Sequence, residues 1–157
     1  MRHRKLTTTD VCEVTGYTRH QLRGLLDELP YYSGQVALPR VAREFSFQDL
    51  IVLSVISILE KNIGMQRAMV VPIAALLPRT LSGPKKVNRD ARLMISFEPP
   101  IVKYVATGLP TSDGVLLSLG PIFERVDQYL LPDEAERQTN LKLGPVLIAN
   151  ERKKRAG

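Results

Sequence analysis

Apolar residues in the first fifty positions recur at helical spacing, and each run opens on the same short polar pattern. Thr7-x-x-Asp10, Thr18-x-x-Gln21 and Ser46-x-x-Asp49 each fit a capping box or its close variant. In that device a hydroxyl takes an early backbone N–H, and the side chain three residues on reaches back to the cap's own N–H. An apolar residue stands before each cap and another at the fourth helical position: Leu6 with Val11, Tyr17 with Leu22, Phe45 with Leu50. Such a pair fixes the angle at which the chain enters the helix. The spacing predicts a helix over 8–15 with Val11 and Val14 inward, closed by Gly16. A second runs from just after Tyr17 to about Leu29, with Leu22, Leu25, Leu26 and Leu29 as its buried stripe, and Pro30 ends it. A third covers 47–62, apolar almost all round in 50–59, and Gly64 closes it.

Between the second and third helices, 31–45 carries short strand patterns at 35–38 and 41–45, punctuated by Ser33-Gly34 and Pro39. This predicts a hairpin or wing. Residues 65–81 predict a further helix. Either it kinks at Pro72, or Pro72 lies in the first turn of a shorter helix ending before Pro78. Then the period changes. Strand patterns fall at 92–98, 101–107 and 115–119, with a turn-rich loop at 108–114. Gly120-Pro121 opens an amphipathic helix bearing Ile122, Phe123, Val126, Tyr129 and Leu130 on one face. A last strand is expected over 141–149. The expected domains are 1–81, a linker at 82–90, a small α/β domain at 91–150, and a basic disordered tail at 151–157.

Composition adds bounds. The chain has 157 residues, 44% of them hydrophobic, with no Trp and few aromatics, so Leu, Ile and Val must build the core. Two half-length domains would each be marginal alone and would favour dimerisation. The net charge of +6 is unevenly spread: residues 1–43 carry +3, 84–103 carry +3 and 151–157 carry +3, while 104–150 carry −3. A basic N-terminal third joined to an acidic body suits a polyanion-binding module linked to one that does not bind polyanion. Cys12 is the one cysteine, which rules out an internal disulfide and makes the cytoplasm the expected compartment. The longest apolar stretch, 50–59, is broken by Ser54 and Ser57 and is too short to span a membrane, so no membrane partner is expected.

The segment LTTTDVCEVTGYTRHQLR resembles the N-terminal domain of MerR-type regulators, with their T-x-x-(D/E)-V-A-x-x-T-G-V-S-x-x-T-L-R pattern. The resemblance resumes at Arg43-Glu44-Phe45-Ser46-Phe47-Gln48-Asp49-Leu50 and at Ile63-Gly64-Met65, covering about 6–78. It implies a winged helix-turn-helix with helix 18–29 in the major groove of double-stranded DNA and the wing, 31–45, on the backbone. Thr18, Arg19 and His20 match the start of the recognition helix, Arg23 the arginine of the family's L-R pair, and Arg43 the wing arginine. Gly24-Leu25-Leu26 replaces the family's aromatic-Tyr-Glu run, and the long dimerisation helix is missing. Promoter untwisting is therefore not carried over.

The residues themselves offer matching chemistry. An arginine presents a bidentate fork to guanine or a delocalised charge to phosphate. Arg19, His20 and Arg23 lie opposite the leucine stripe, with Gln21 flanking, and Arg40 and Arg43 lie near the tip and far edge of the wing. Each also has a plainer reading: solvated surface for the arginines and histidine, capping for Gln21. Gly24 inside the helix costs roughly 1 kcal/mol against Ala; close approach to another backbone is one reason to keep it. Cys12 is best read as a small buried apolar side chain. No second ligand stands at zinc spacing from His3 or His20, no nucleophile set is present, and SGPKK lacks the phosphate-loop pattern, so no metal, cofactor or enzymatic activity is expected.

The expected fold class is α+β: a MerR-like winged helix-turn-helix followed by a small α/β domain with a few antiparallel strands and one amphipathic helix. The expected function is a dimeric, sequence-specific transcriptional regulator, cytoplasmic and nucleoid-associated, with its dimer contact in 90–150. A small-molecule or protein effector for 91–150 stays open. The alternatives are an excisionase-like or partition protein of a mobile element, and a protein-interaction adaptor or antitoxin.

Overall fold

The computed structural model describes residues 5–34, 41–82, 90–108 and 113–131. They form a mixed α+β fold with six α-helices and a three-stranded antiparallel sheet. The chain divides into two compact units, Met1–Phe123 and Glu124–Gly157. The expected last strand at 141–149, the tail, and residues 83–89 of the expected linker lie outside the described residues.

Helix α1 spans Thr8–Thr15 and ends at Gly16, whose φ of 75° is the left-handed conformation that favours glycine. The Asp10 carboxylate accepts from the Thr7 backbone N–H at 2.7 Å and from the Thr7 hydroxyl at 2.9 Å. Helix α2 spans Arg19–Glu28. At its start Gln21 N–H donates to Thr18 Oγ1 at 3.1 Å, and Thr18 N–H donates to Gln21 Oε1 at 3.0 Å. Leu29 then turns extended, as a residue before proline must. Helix α4 spans Phe47–Ser57 and begins with the same reciprocal pair between Ser46 and Asp49. All six staple residues are buried.

The segment after α2 departs from expectation. Residues 31–33 do not enter a wing; they belong to a short helix α3, Pro30–Ser33. Pro30 cannot continue α2, yet its fixed φ and missing N–H suit the first turn of a new helix. Tyr32 is buried there, and its hydroxyl donates to Asp49 Oδ1 at 2.7 Å. Of the two strand candidates, 35–38 lies outside the described residues. In 41–45 only Phe45 pairs, in an isolated antiparallel bridge to Leu6.

Helix α4 is buried on nearly every side, which is why its sequence shows no polar face. It runs on into a π-helical turn, Ile58–Asn62, where Ile63 N–H donates to Ile58 O five residues back. Gly64, at φ 80°, redirects the chain. Helix α5, Arg67–Leu81, holds both Pro72 and Pro78 inside it. The shorter helix with Pro72 in its first turn is therefore not what forms. Each proline forfeits one intrahelical hydrogen bond, and burial of Val70, Ile73, Ala74 and Leu77 holds the helix together nonetheless.

α5 packs against α4 and also against the sheet. The sheet has the order β2-β1-β3, with β1 at Arg92–Phe97, β2 at Pro100–Val105 and β3 at Val115–Ser118. Both neighbours run antiparallel to β1, with Leu93 opposite Tyr104 on one side and Leu117 on the other. Ser96 Oγ donates to Asp113 O at 2.9 Å, fixing the approach to β3. Helix α6, Gly120–Leu130, follows with Pro121 in its first turn.

Candidate nucleic-acid interface

Helix α2 has two sides of opposite character. Leu22, Leu25, Leu26 and Leu29 are buried, while Thr18, Arg19, His20, Gln21 and Arg23 are exposed. The exposed residues are not equivalent. Thr18 and Gln21 spend polar groups on each other's backbone, so the helix end already uses both. Arg19 Nη2 donates to Thr9 Oγ1 on α1 at 2.9 Å, a neutral acceptor. Among the described residues, the side chains of His20 and Arg23 make no hydrogen bond or ion pair. Asp27 lies one turn beyond Arg23 on the same side, and the two form no ion pair.

A Cβ built on Gly24 would meet nothing within 4 Å among the described residues. No described backbone therefore approaches closely enough to account for that glycine. It lies on the exposed side of α2, on the surface that carries His20 and Arg23.

Arg43 is half-buried, and its charge acts on Tyr32. Arg40 lies outside the described residues. The six described candidates thus divide: Arg19, His20 and Arg23 share one exposed helix surface, Thr18 and Gln21 build that helix's start, and Arg43 stands on the segment leading to α4.

Three groups beside this surface were not legible as candidates. Thr9 holds Arg19. Lys61, from the π turn, donates to the Gly16 carbonyl and lies 4.6 Å from the centre of the Tyr17 ring. Nothing local in the sequence marks either, because Lys61 reaches the α1–α2 turn only through tertiary packing. The third is Cys12, which is half-buried rather than buried. Partial burial raises its thiol above the ordinary value, and the charges of Arg19 and Lys61 pull it back. The thiol therefore feels both cations.

Beneath the surface, Tyr17 and Tyr32 are anchored by carboxylates. Tyr17 donates to Glu60 Oε2 at 2.8 Å, and burial together with that bond pushes its phenol well above the ordinary range. Burial and the bond to Asp49 do the same at Tyr32. Glu60, on the π turn, is gripped by Arg67 Nε and Nη2, and Arg67 Nη1 also reaches Glu28 Oε1 at 3.5 Å.

Among the described residues no group of three His, Cys, Asp or Glu side chains gathers as a metal site, and no helix is long and apolar enough to cross a membrane. No family model, curated protein or solved structure matches the chain.

Proposed function

We propose that this protein is a sequence-specific DNA-binding transcriptional regulator that acts as a dimer. α1, the turn at 16–18 and α2 would serve as a helix-turn-helix of the MerR kind that the sequence resembles. One observation carries the reading: Arg19, His20 and Arg23 stand exposed, and without acidic partners among the described residues, on the side of α2 opposite its buried leucines. Two arginines with a histidine between them on a capped, stapled helix suit a phosphate backbone and guanine edges. Arg40 and Arg43 would add phosphate contacts from 31–45. The dimer contact is assigned to 90–150, giving a pseudo-palindromic site with half-sites one helical turn or a multiple of it apart. The place of action is the nucleoid.

An electrophoretic shift assay on genomic fragments tests the reading. The wild-type chain should retard particular fragments, with log affinity falling steeply with log salt, by about 0.9 per phosphate neutralised. Arg19→Ala with Arg23→Ala should abolish the specific shift while circular dichroism stays unchanged, because both side chains are exposed. No specific shift, or the same shift from the double variant, overturns the proposal. Retarded fragments confined to attachment or partition arrays would make the protein an accessory factor of a mobile element. A stoichiometric protein partner with no nucleic-acid affinity would make it an adaptor.

A further inference from the structure

We infer that Glu60, Lys61 and Arg67, brought together by the π-helical turn after α4, are positioning residues that set the attitude of α2 toward its nucleic-acid partner. The inference rests on the reading just given and assigns the residues that aim the reading helix without touching DNA bases.

The buried stripe of α2 does not fix its attitude alone. Apolar burial is non-directional, and four leucines on one side leave a helix some freedom to roll and slide. Direction comes from hydrogen bonds, and here they act at both ends of α2. At the N-terminal end, the Tyr17 hydroxyl donates to Glu60, the Tyr17 ring lies beside the Lys61 ammonium, and that ammonium donates to the Gly16 carbonyl. At the C-terminal end, Glu28 accepts from Arg67. Arg67 joins the two ends, since the guanidinium that reaches Glu28 also forks onto Glu60, with Nη2 to Oε2 at 3.2 Å. Charge-assisted, bidentate contacts of this kind are the strong and geometrically specific ones. The Glu60 side chain is only 12% exposed and that of Arg67 30%, so water weakens this pair less than a surface bridge.

Helical spacing explains how one short segment does this. Glu60 and Lys61 stand three and four residues after Ser57, whose hydroxyl donates to the Thr15 carbonyl at 2.7 Å, so the three side chains share one face. The i→i+5 turn at 58–62 continues from that face; Glu60 takes the Tyr17 hydroxyl and Lys61 the Gly16 carbonyl. Turns of this type recur at functional sites.

The experiment uses the full chain and a duplex site enriched from a randomised library on the wild type, with a scrambled duplex as control. Three variants are compared: Tyr17→Phe, which removes one hydroxyl; Arg67→Lys, which keeps the charge and loses the fork; and Glu60→Gln. Each should melt cooperatively. Each should lose specific affinity about tenfold, comparable to one mismatched base pair. Affinity for the scrambled duplex, and its salt dependence, should stay within about twofold, because the exposed cations are untouched. A merely structural network would lower the melting temperature and leave the ratio of specific to scrambled affinity unchanged. That result in the variants that fold overturns the inference, and Tyr17→Phe keeps the test open if the charge variants do not fold. Failure of the wild type to enrich any sequence overturns the DNA-binding reading itself, and the inference with it.

Discussion

Replacing Gly24 by alanine should strengthen the fold and weaken the DNA contact proposed for α2. The glycine is the sixth residue of a ten-residue helix, and a Cβ there meets nothing within 4 Å among the described residues. Alanine is better than glycine in a helix interior by about 1 kcal/mol, part of it from a less flexible unfolded chain. For a unit of the size of Met1–Phe123 that gain corresponds to about 3–5 °C in melting temperature. The effect on binding runs the other way. Gly24 lies on the exposed side that carries His20 and Arg23. If that side seats in a groove, the new methyl enters a packed contact, and overpacking costs about 1–3 kcal/mol. Specific affinity would fall by about 5- to 150-fold. Calorimetric or dichroism melts give the first quantity, and anisotropy titration on an enriched duplex gives the second. A melting temperature that does not rise refutes the helix reasoning. A raised melting temperature with unchanged affinity removes residue 24 from the contact surface.

Two further predictions concern stability. Tyr17 and Tyr32 have phenols held above their ordinary value, chiefly by burial and then by hydrogen bonds to Glu60 and Asp49. A group whose pKa is raised by folding stabilises fully below its unfolded value and loses that stabilisation as pH rises above it. Urea unfolding above about pH 10 should therefore lose about 1.4 kcal/mol per pH unit for each of the two phenols; Tyr17→Phe or Tyr32→Phe should each remove one such share, and an unchanged slope would contradict the assignment. Ser54 is buried, and among the described residues its hydroxyl has no hydrogen-bond partner. Ser54→Ala should be neutral or stabilising by up to about 1–3 kcal/mol, and a clear loss of stability by denaturant titration would show that the hydroxyl is satisfied.

Local chemistry was legible and long-range chemistry was not. Thr7, Thr18 and Ser46, each answered three residues on, gave helix starts that the structure keeps, and Gly16 and Gly64 fell where left-handed backbone occurs. These devices act within a few residues, so a sequence carries them whole. The antiparallel strands and α6 were visible through their change of period. What escaped depends on distant partners. Tyr32 looked like part of a wing because nothing near it announces Asp49, 17 positions away. Pro72 and Pro78 left a helix running through 65–81 and a shorter one both open, because the apolar burial that offsets the prolines is tertiary. Of the candidate surface, the exposed trio on α2 followed from the leucine period, whereas Lys61 and the ties from Arg67 to Glu28 and Glu60 required the fold.

The division of labour along α2 bears on how such a protein can change. Positions 17, 22, 25, 26, 28 and 29 are committed to burial or to the ties beneath the helix. Positions 20, 23, 24 and 27 are exposed, and among the described residues no side-chain hydrogen bond or ion pair ties them to the chain. Substitutions at such exposed sites ordinarily move stability by no more than about 0.5 kcal/mol. The outward chemistry of the helix can therefore be rewritten residue by residue on an unchanged support. Lineages, or a randomised library at those four positions, could explore new partners without first losing the fold.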